Sequence, residues 1–168
     1  MARDRELLAA EVELNVLALL RLTHAAAGAM SSRGGGHVIN VSSGNAYYPT
    51  PGAAAYGASK AFVNSLTEAL VHELRGSGVT VTAVCPGFTR TGAQERLSLN
   101  SDLVPRFLWH QPDEVAAAVL RAAAEGKVVS SLDRSGALAA FAGRYLPRRL
   151  LVPLVARASA RLASSRRR

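Results

Sequence analysis

The sequence predicts an α/β protein in which helices alternate with the strands of a parallel sheet. Apolar residues at helical spacing alternate along the chain with short β-branched stretches, in the order helix, strand, helix, strand, helix, strand. The first short stretch is apolar on both sides, which is typical of a strand covered on both faces of a sheet. Successive parallel strands need crossover connections, and the intervening helices are long enough to supply them.

The first half of the chain contributes a helix, a strand and a second helix. Leucine and valine recur at helical spacing over residues 6–30, and three glycines end a turn at 31–36. These glycines lack the spacing of a phosphate-binding loop and precede a strand, so a surface turn is expected. Residues 37–42 predict a buried strand. After a loop with two prolines, residues 53–75 predict a long helix that the following glycines end.

The second half repeats the alternation with shorter elements. Residues 79–84 alternate and are β-branched, which predicts a strand. Residues 88–110 predict an irregular, partly helical segment. The next helix begins at Pro112, has acids in its first turn and runs to residue 125. Residues 127–129 predict a third, very short strand. From residue 138 onwards the chain is expected to be mostly helical, with interruptions at Pro147 and Pro153.

Composition and cysteine usage exclude several classes of protein. With 49% apolar and 19% charged residues, the 168-residue chain is globular and is long enough for one domain with its own core. No apolar run reaches the roughly 18 residues of a membrane helix, and the start of the chain has no signal-peptide pattern. A single cysteine, Cys85, excludes an internal disulfide, and the four histidines show no ligand spacing. We expect a cytoplasmic protein with no metal site.

Basic residues are concentrated at the C-terminal end. Of the 20 lysines and arginines, eight arginines lie in residues 144–168, where there is no acid, and the other 12 balance the 12 acids of residues 1–143. We therefore divide the chain into a body, 1–143, and a basic tail, 144–168. Leucines four apart from Leu146 lie beside the arginines, as in a basic amphipathic helix on an anionic membrane surface. The alternative is a solvated helix. Nucleic acid is disfavoured, because Tyr145 is the tail's only aromatic residue.

Three polar residues form a candidate proton-transfer site. Tyr56 and Lys60 are four apart in the predicted helix, so they share a face one turn apart. The lysine's positive charge favours the ionised phenol. Ser43 follows one strand and Pro86-Gly87 follows the next, and the carboxyl ends of parallel strands meet at one rim. A serine hydroxyl there could hold a carbonyl oxygen beside the phenol, which suits the interconversion of carbonyls and alcohols.

With these residues the chain resembles the short-chain dehydrogenase/reductase family over nearly all of its length. The resemblance rests on four pieces in the family's order: Asn15 in Glu-Leu-Asn-Val-Leu, Ser43, the segment Tyr56-Gly-Ala-Ser-Lys60, and Cys-Pro-Gly-Phe-Thr-Arg-Thr at 85–91. It implies a Rossmann-like, doubly wound parallel sheet, here with about three strands. It also implies NAD(P)-dependent reduction of a carbonyl, or oxidation of an alcohol, in a small-molecule substrate.

The resemblance implies a role for each site residue. Tyr56 would give or take the proton, and Lys60 would tune it and bind the nicotinamide ribose. Ser43 would orient the substrate oxygen, and Asn15 would hold a water in a proton relay. The helices that carry Asn15 and Tyr56 would form a homo-oligomer interface. Contacts to NAD or NADP would come from Tyr56 and Lys60 and also from Pro86, Gly87, Thr89 and Thr91.

Several of these assignments have a structural alternative. Asn15 could satisfy a nearby backbone group, and Thr89 and Thr91 could cap the next helix. Three aromatic residues are consistent either with lining a substrate pocket or with ordinary packing: Tyr47, Tyr48 and Trp109.

The sequence departs from the family's pattern at its front. None of the 168 residues forms the glycine-rich turn that brings a pyrophosphate to a helix N-terminus. At roughly 30 residues per strand–helix unit, the missing portion is on the order of 100 residues, so we expect a truncated member of the family. The strand at 37–42 would then lie at an open sheet edge, which invites association. The alternatives to an active enzyme are an inactive remnant that associates through its helices and a peripheral membrane protein.

Overall fold

A computed structural model describes residues 4–91, 104–132 and 134–163, and it confirms a parallel sheet flanked by helices. The helices are α1 (Arg5–Val12), α2 (Leu19–Ser31), α3 (Ala54–Glu73), α4 (Pro112–Ala124), α5 (Arg134–Tyr145) and α6 (Arg148–Ala163). The strands are β1 (Gly36–Val41), β2 (Val79–Cys85), β3 (Phe88–Thr89), β4 (Trp109–His110) and β5 (Val129–Ser131). Short 3₁₀ turns occupy Gly44–Ala46 and Arg106–Leu108.

The first predicted helix is one continuous helical run with an irregularity at its centre. Asp4 caps the start of α1, since its side chain accepts a hydrogen bond from the Glu6 amide at 2.9 Å. Between α1 and α2 the chain forms a π-helical segment, Glu13–Ala18, with helical backbone angles on both sides. Such segments are rare and often accompany functional positions. Hydrophobic spacing predicts the helix but cannot reveal this local widening.

The main sheet has the strand order β1–β2–β5, and both pairings are parallel. The register of β1 on β2 runs from Gly36 opposite Val79 to Val41 opposite Val84. The central strand β2 is buried at every position except Thr80, which explains why its sequence is rich in valine. Helix α3 packs on this strand through Val63, which is completely buried.

Strand β1 presents one open edge within the part of the chain that the structure describes. The amides of Gly36 and Ser42 donate to carbonyls on the β2 side, at Gly78 and Val84. Backbone groups alternate in direction along a parallel strand, so the N–H and C=O groups of His37, Ile39 and Val41 point away from β2. Among the described strands none pairs with β1 on that side.

A buried polar network joins β1 to two helices. The Thr23 hydroxyl on α2 donates to Asn40 Oδ1 at 2.9 Å, and Asn40 Nδ2 donates to the Thr67 hydroxyl on α3 at 3.2 Å. All three residues are less than 5% exposed. Because buried amides and hydroxyls must be hydrogen-bonded, this network selects one arrangement of the two helices on the strand.

Two predictions about element boundaries were wrong. The third strand is Val129–Ser131 and not residues 127–129, because Gly126 has a positive φ of 66° and the Lys127 amide still donates to Ala122 at the end of α4. Helix α6 continues through Pro153, where an interruption was predicted. Proline removes only one donor there, and the residue is exposed, so water can reach the carbonyl that loses its partner. The predicted break at Pro147 is confirmed.

Other features lie outside what the sequence pattern predicted or what the structure tests. The pairing of β3 with β4 was not predicted. Most of the predicted irregular segment at 88–110 falls on residues 92–103, which lie outside the described residues. Helix α5 runs across position 143, so the division of the chain into 1–143 and 144–168 stays a prediction. None of the helices described is long and apolar enough to span a bilayer.

Candidate active site

The loops that follow β1 and β2 meet at one rim of the sheet. The Ser42 amide donates to Val84 at 2.7 Å, and the Gly44 amide donates to Pro86 at 3.3 Å. Ser43 therefore lies beside Pro86 and Gly87, as parallel-strand topology predicted. The Ser43 hydroxyl accepts a hydrogen bond from the Asn45 amide at 3.2 Å and caps the 3₁₀ turn. This bond fixes the hydroxyl oxygen and leaves its proton free to donate to a ligand oxygen.

Tyr56 and Lys60 lie in the first two turns of α3, on one face of the helix. The Lys60 ammonium is 5.7 Å from the centre of the Tyr56 ring, a cation–π distance. The same ammonium donates to the Val41 carbonyl at 2.9 Å, and the Ser42 hydroxyl donates to the Lys60 carbonyl at 3.0 Å. Lys60 is thus held between α3 and the end of β1.

Burial of Lys60 affects its protonation. Desolvation lowers the pKa of the Lys60 ammonium below its ordinary value, and the charges of Cys85 and Glu11 oppose that shift. A half-buried cation has few water dipoles around it, so its field acts more strongly on a neighbouring phenol.

Asn15 lies in the π-helical segment and reaches α3. Its Nδ2 donates to the Ser59 hydroxyl at 3.4 Å, and that hydroxyl donates to the Tyr56 carbonyl at 2.8 Å. Ser59 is buried and was missed by the sequence reasoning. Its position three residues after Tyr56, between the tyrosine and the lysine, was the available signal. The alternative in which Asn15 bonds its own helix is not the arrangement found, since the side chain bonds across to the helix that carries Tyr56.

The segment after β2 forms a second, two-stranded sheet. Thr89 lies in β3 opposite His110 in β4, and its hydroxyl donates to the Gly87 carbonyl at 3.3 Å. Arg90 lies over the Trp109 ring at 5.4 Å. Thr91 is exposed and is the last residue described before the gap. Trp109 also packs on Phe88, with 5.5 Å between ring centres, so the structure gives it a packing role.

Two tyrosines follow Ser43 and occupy different surroundings. The Tyr47 hydroxyl donates to Cys85 Sγ at 3.3 Å and lies 3.4 Å from the Ser131 hydroxyl. Burial, reinforced by the Cys85 bond, raises the pKa of Tyr47 well above its ordinary value. Burial also raises the pKa of Tyr48. The Tyr48 hydroxyl lies over Gly44, where an added Cβ would be 3.8 Å from it, and it is therefore next to Ser43.

Sequence comparison decides the family. The family model described as short chain dehydrogenase matches residues 2–102, which is more than half of the chain. The chain belongs to the short-chain dehydrogenase family. The match includes Asn15, Ser43, Tyr56 and Lys60, together with the loop that begins at Pro86.

Individual members of the family are similar to this chain in sequence. A 3alpha-hydroxysteroid dehydrogenase from Mediterraneibacter gnavus is 45% identical over 80 residues, which are 48% of this chain and 32% of the relative. A 3-oxoacyl-[acyl-carrier-protein] reductase from Synechocystis is 36% identical over 112 residues, 66% of this chain and 45% of the relative. The chain therefore spans about half, or less, of the length of these curated relatives.

A solved short-chain dehydrogenase confirms the fold. The crystal structure from Burkholderia cenocepacia, in complex with NADP, superposes with a TM-score of 0.76 at 29% identity. The superposition covers 91% of this chain and 61% of that protein.

A separate cleft of about 390 Å³ does not include the candidate site residues. Tyr47, Ser131 and residues of α5 line it, together with the charged side chains of Glu68, Lys127 and Arg144. None of Asn15, Ser43, Tyr56 and Lys60 contributes to its wall.

Among the described residues no group of three or more His, Cys, Asp or Glu side chains could hold a metal ion.

Proposed function

We propose that this chain carries the catalytic part of an NAD(P)-dependent oxidoreductase that interconverts a carbonyl and an alcohol in a small molecule. The observation that supports it best is the placement of Tyr56 and Lys60 on one face of α3, with the ammonium 5.7 Å from the phenol ring, at the rim where the Ser43 loop meets the Pro86 loop. A phenol, a cation and a fixed hydroxyl at one place provide a proton donor, its charge partner and an anchor for the reacting oxygen.

We assign each side chain a role in this reaction. The Tyr56 hydroxyl transfers the proton to the carbonyl oxygen, or takes it from the alcohol. The Lys60 ammonium stabilises the phenolate that remains after transfer. Ser43 donates its free hydroxyl proton to the same oxygen and so orients the substrate. Asn15 acts on this geometry through Ser59, whose hydroxyl is bonded to the Tyr56 backbone.

The donors at the rim fit a nicotinamide nucleotide. Lys60 has an ammonium with three donors, one of which bonds the Val41 carbonyl, and the hydroxyls of Thr89 and Thr91, which follow Pro86-Gly87, are of the kind that bonds a carboxamide. The nicotinamide supplies or accepts the hydride. The Burkholderia relative is described in complex with NADP, which supports a nucleotide of this class for the present chain.

We also place the protein in the cytoplasm and expect it to form homo-oligomers through the helices of Asn15 and Tyr56. The association is supported by the surface of the first helical run, where Leu14 and Leu22 are each at least 70% exposed. Large leucines exposed on one element are typical of an association surface.

The test is nucleotide binding by the 168-residue chain, followed by turnover. NADH or NADPH is titrated with the chain, and the change in the fluorescence of the reduced nicotinamide reports binding. The two lysines of the chain provide a matched pair of variants. We expect saturable binding that Lys60→Ala abolishes and that Lys127→Ala, a change in an exposed lysine paired with Glu125, leaves unchanged. Tyr56→Phe should keep nucleotide binding and lower the reduction of small ketones and aldehydes by about 10²- to 10⁴-fold.

Two results would count against the proposal. A folded chain that binds neither nucleotide contradicts the assignment of activity to these residues and leaves the family membership in place. Binding that both lysine variants weaken equally shows a general electrostatic effect in place of a site at Lys60.

A further inference from the structure

The two C-terminal helices expose a row of large apolar side chains. On α5 the spacing i, i+3, i+7 places Leu138, Phe141 and Tyr145 on one face, and the two aromatic rings are 4.7 Å apart. Leu146 between the helices, and Leu150 and Leu154, which are four apart on α6, are exposed as well, and these six residues are called the apolar row. Between 43% and 68% of each of these six side chains is exposed. A monomeric domain rarely leaves so many neighbouring apolar side chains in water without a use.

These side chains are not the ones that dock the helices on the body. Helix α5 packs through Gly143, where an added Cβ would collide with the Tyr47 backbone. Helix α6 buries Leu151, which is 6% exposed. On α6 Leu151 lies one residue after Leu150 and three before Leu154, so the buried leucine and the exposed ones lie on adjoining faces of the helix. The apolar row stays exposed while Gly143 and Leu151 are buried, and its members Phe141 and Tyr145 border the cleft that Tyr47 lines.

Arginines flank the row, and the two helices themselves carry no acid. The exposed side chains of Arg144, Arg148, Arg149 and Arg157 lie on the same two helices or at their junction. From residue 134 to the end, the sequence contains no aspartate or glutamate. The N-terminal helical run also exposes leucines, but there Arg21 lies 3.9 Å from Glu13, and charges of both signs are present. Among the residues that the structure describes, α5 and α6 carry exposed apolar side chains with arginines and no acid of their own, and an acid on the body, Glu68, lines the same cleft as Phe141 and Arg144.

We propose that this face, formed by the exposed side chains of α5 and α6, binds the surface of an anionic lipid bilayer. The apolar row enters the boundary between headgroups and acyl chains, and the arginines pair with lipid phosphates and carboxylates. The helices lie on the membrane and do not cross it. The apolar row favours lipid over nucleic acid, because a phosphate backbone offers nothing for six apolar side chains to enter.

The test is sedimentation of the full chain with phosphatidylcholine vesicles that contain either no phosphatidylserine or about one quarter of it. We expect binding only to the anionic vesicles, and weaker binding as salt shortens the Debye length from about 10 Å at 0.1 M towards about 3 Å at 1 M. An arginine near an anionic surface strengthens binding about fivefold, so Arg149→Gln with Arg157→Gln should weaken it about 25-fold. Removing the same charge with Arg33→Gln and Arg75→Gln, in turns after α2 and α3, should leave binding close to that of the parent chain.

A second pair of variants separates lipid from other polyanions. Phe141→Gln should weaken vesicle binding about tenfold, whereas Leu120→Gln, at an equally exposed leucine on α4, should not. All these positions are exposed, and circular dichroism checks that the variants fold. Equal binding to both kinds of vesicle overturns the proposal. So does equal weakening by the two arginine pairs. If a short DNA duplex binds with the same dependence on Arg149 and Arg157 while Phe141→Gln has no effect, the face is a nucleic-acid surface and the lipid proposal is wrong.

Discussion

The buried amide of Asn40 provides the sharpest test of how this sheet is held. Asn40→Leu replaces an amide by an apolar group of similar volume and removes two hydrogen bonds, from Thr23 at 2.9 Å and to Thr67 at 3.2 Å. Each such bond contributes about 1 kcal/mol net to the free energy of unfolding. Each threonine hydroxyl that stays buried without a partner costs about 1 kcal/mol or more in addition.

The expected loss follows from where the two hydroxyls can turn. Thr23 and Thr67 are on helices, so each hydroxyl can bond the carbonyl one turn back on its own helix. If both do so, Asn40→Leu should lower the free energy of unfolding by about 2 kcal/mol, and if neither does, by about 4 kcal/mol. Against the 5–15 kcal/mol that is typical of a domain, either loss is measurable. Urea denaturation followed by circular dichroism gives the difference.

A companion variant distinguishes a network from a mere size effect. The triple change Thr23→Val, Asn40→Leu, Thr67→Val leaves no stranded polar group and should recover most of the lost stability, because removing all partners together can be nearly neutral. A single Asn40→Leu variant within about 0.5 kcal/mol of the parent chain would refute the network reasoning. So would a triple variant that is less stable than the single one.

Two further predictions concern glycines and a tyrosine. Gly143→Ala should destabilise the chain by about 1–3 kcal/mol, because the added Cβ would lie 2.5 Å from the Tyr47 carbonyl oxygen. Gly28→Ala, in a helix with open space around it, should stabilise the chain by up to about 1 kcal/mol. Urea unfolding midpoints that move in the same direction for the two variants would contradict this reasoning. Burial raises the pKa of Tyr47, so the folded chain keeps a proton that the unfolded chain releases near pH 10, and stability should fall as pH rises above about 10. Tyr47→Phe should make the loss of stability above about pH 10 smaller. Near neutral pH the variant should be less stable than the parent chain, because it lacks the hydrogen bonds to Cys85 and Ser131. Parallel curves of unfolding free energy against pH for the two chains would show that Tyr47 does not contribute to the alkaline loss.

The regular elements could be predicted because their signals are local. Leucine spacing identifies the first helical run, and Pro112 followed by two acids marks the start of α4. The position of β5 could not be predicted, because it depends on whether one amide, that of Lys127, still bonds to the preceding helix. Continuation of α6 through Pro153 likewise depends on exposure, which a sequence does not display.

The candidate site was predictable to the extent that topology determines it. Parallel strands bring the residues after β1 and β2 together, so the approach of Ser43 to Pro86 followed from strand order. The link from Asn15 through Ser59 to Tyr56 could not be inferred, because it joins residues 44 positions apart through a widened turn of helix. The functional roles of these residues stay predictions.

The contact between the Lys60 ammonium and the Val41 carbonyl makes the open sheet edge and the charge at the site compete for one backbone oxygen. A strand that added to β1 at this end would bring an amide to the same carbonyl, which Lys60 now occupies at 2.9 Å. The displaced ammonium would remain on the face of α3 that it shares with Tyr56. Pairing of a further strand at this edge would thereby change the hydrogen bonding of the ammonium that lies over the Tyr56 ring, so that the backbone of β1 and the charge beside that phenol are linked through a single oxygen atom.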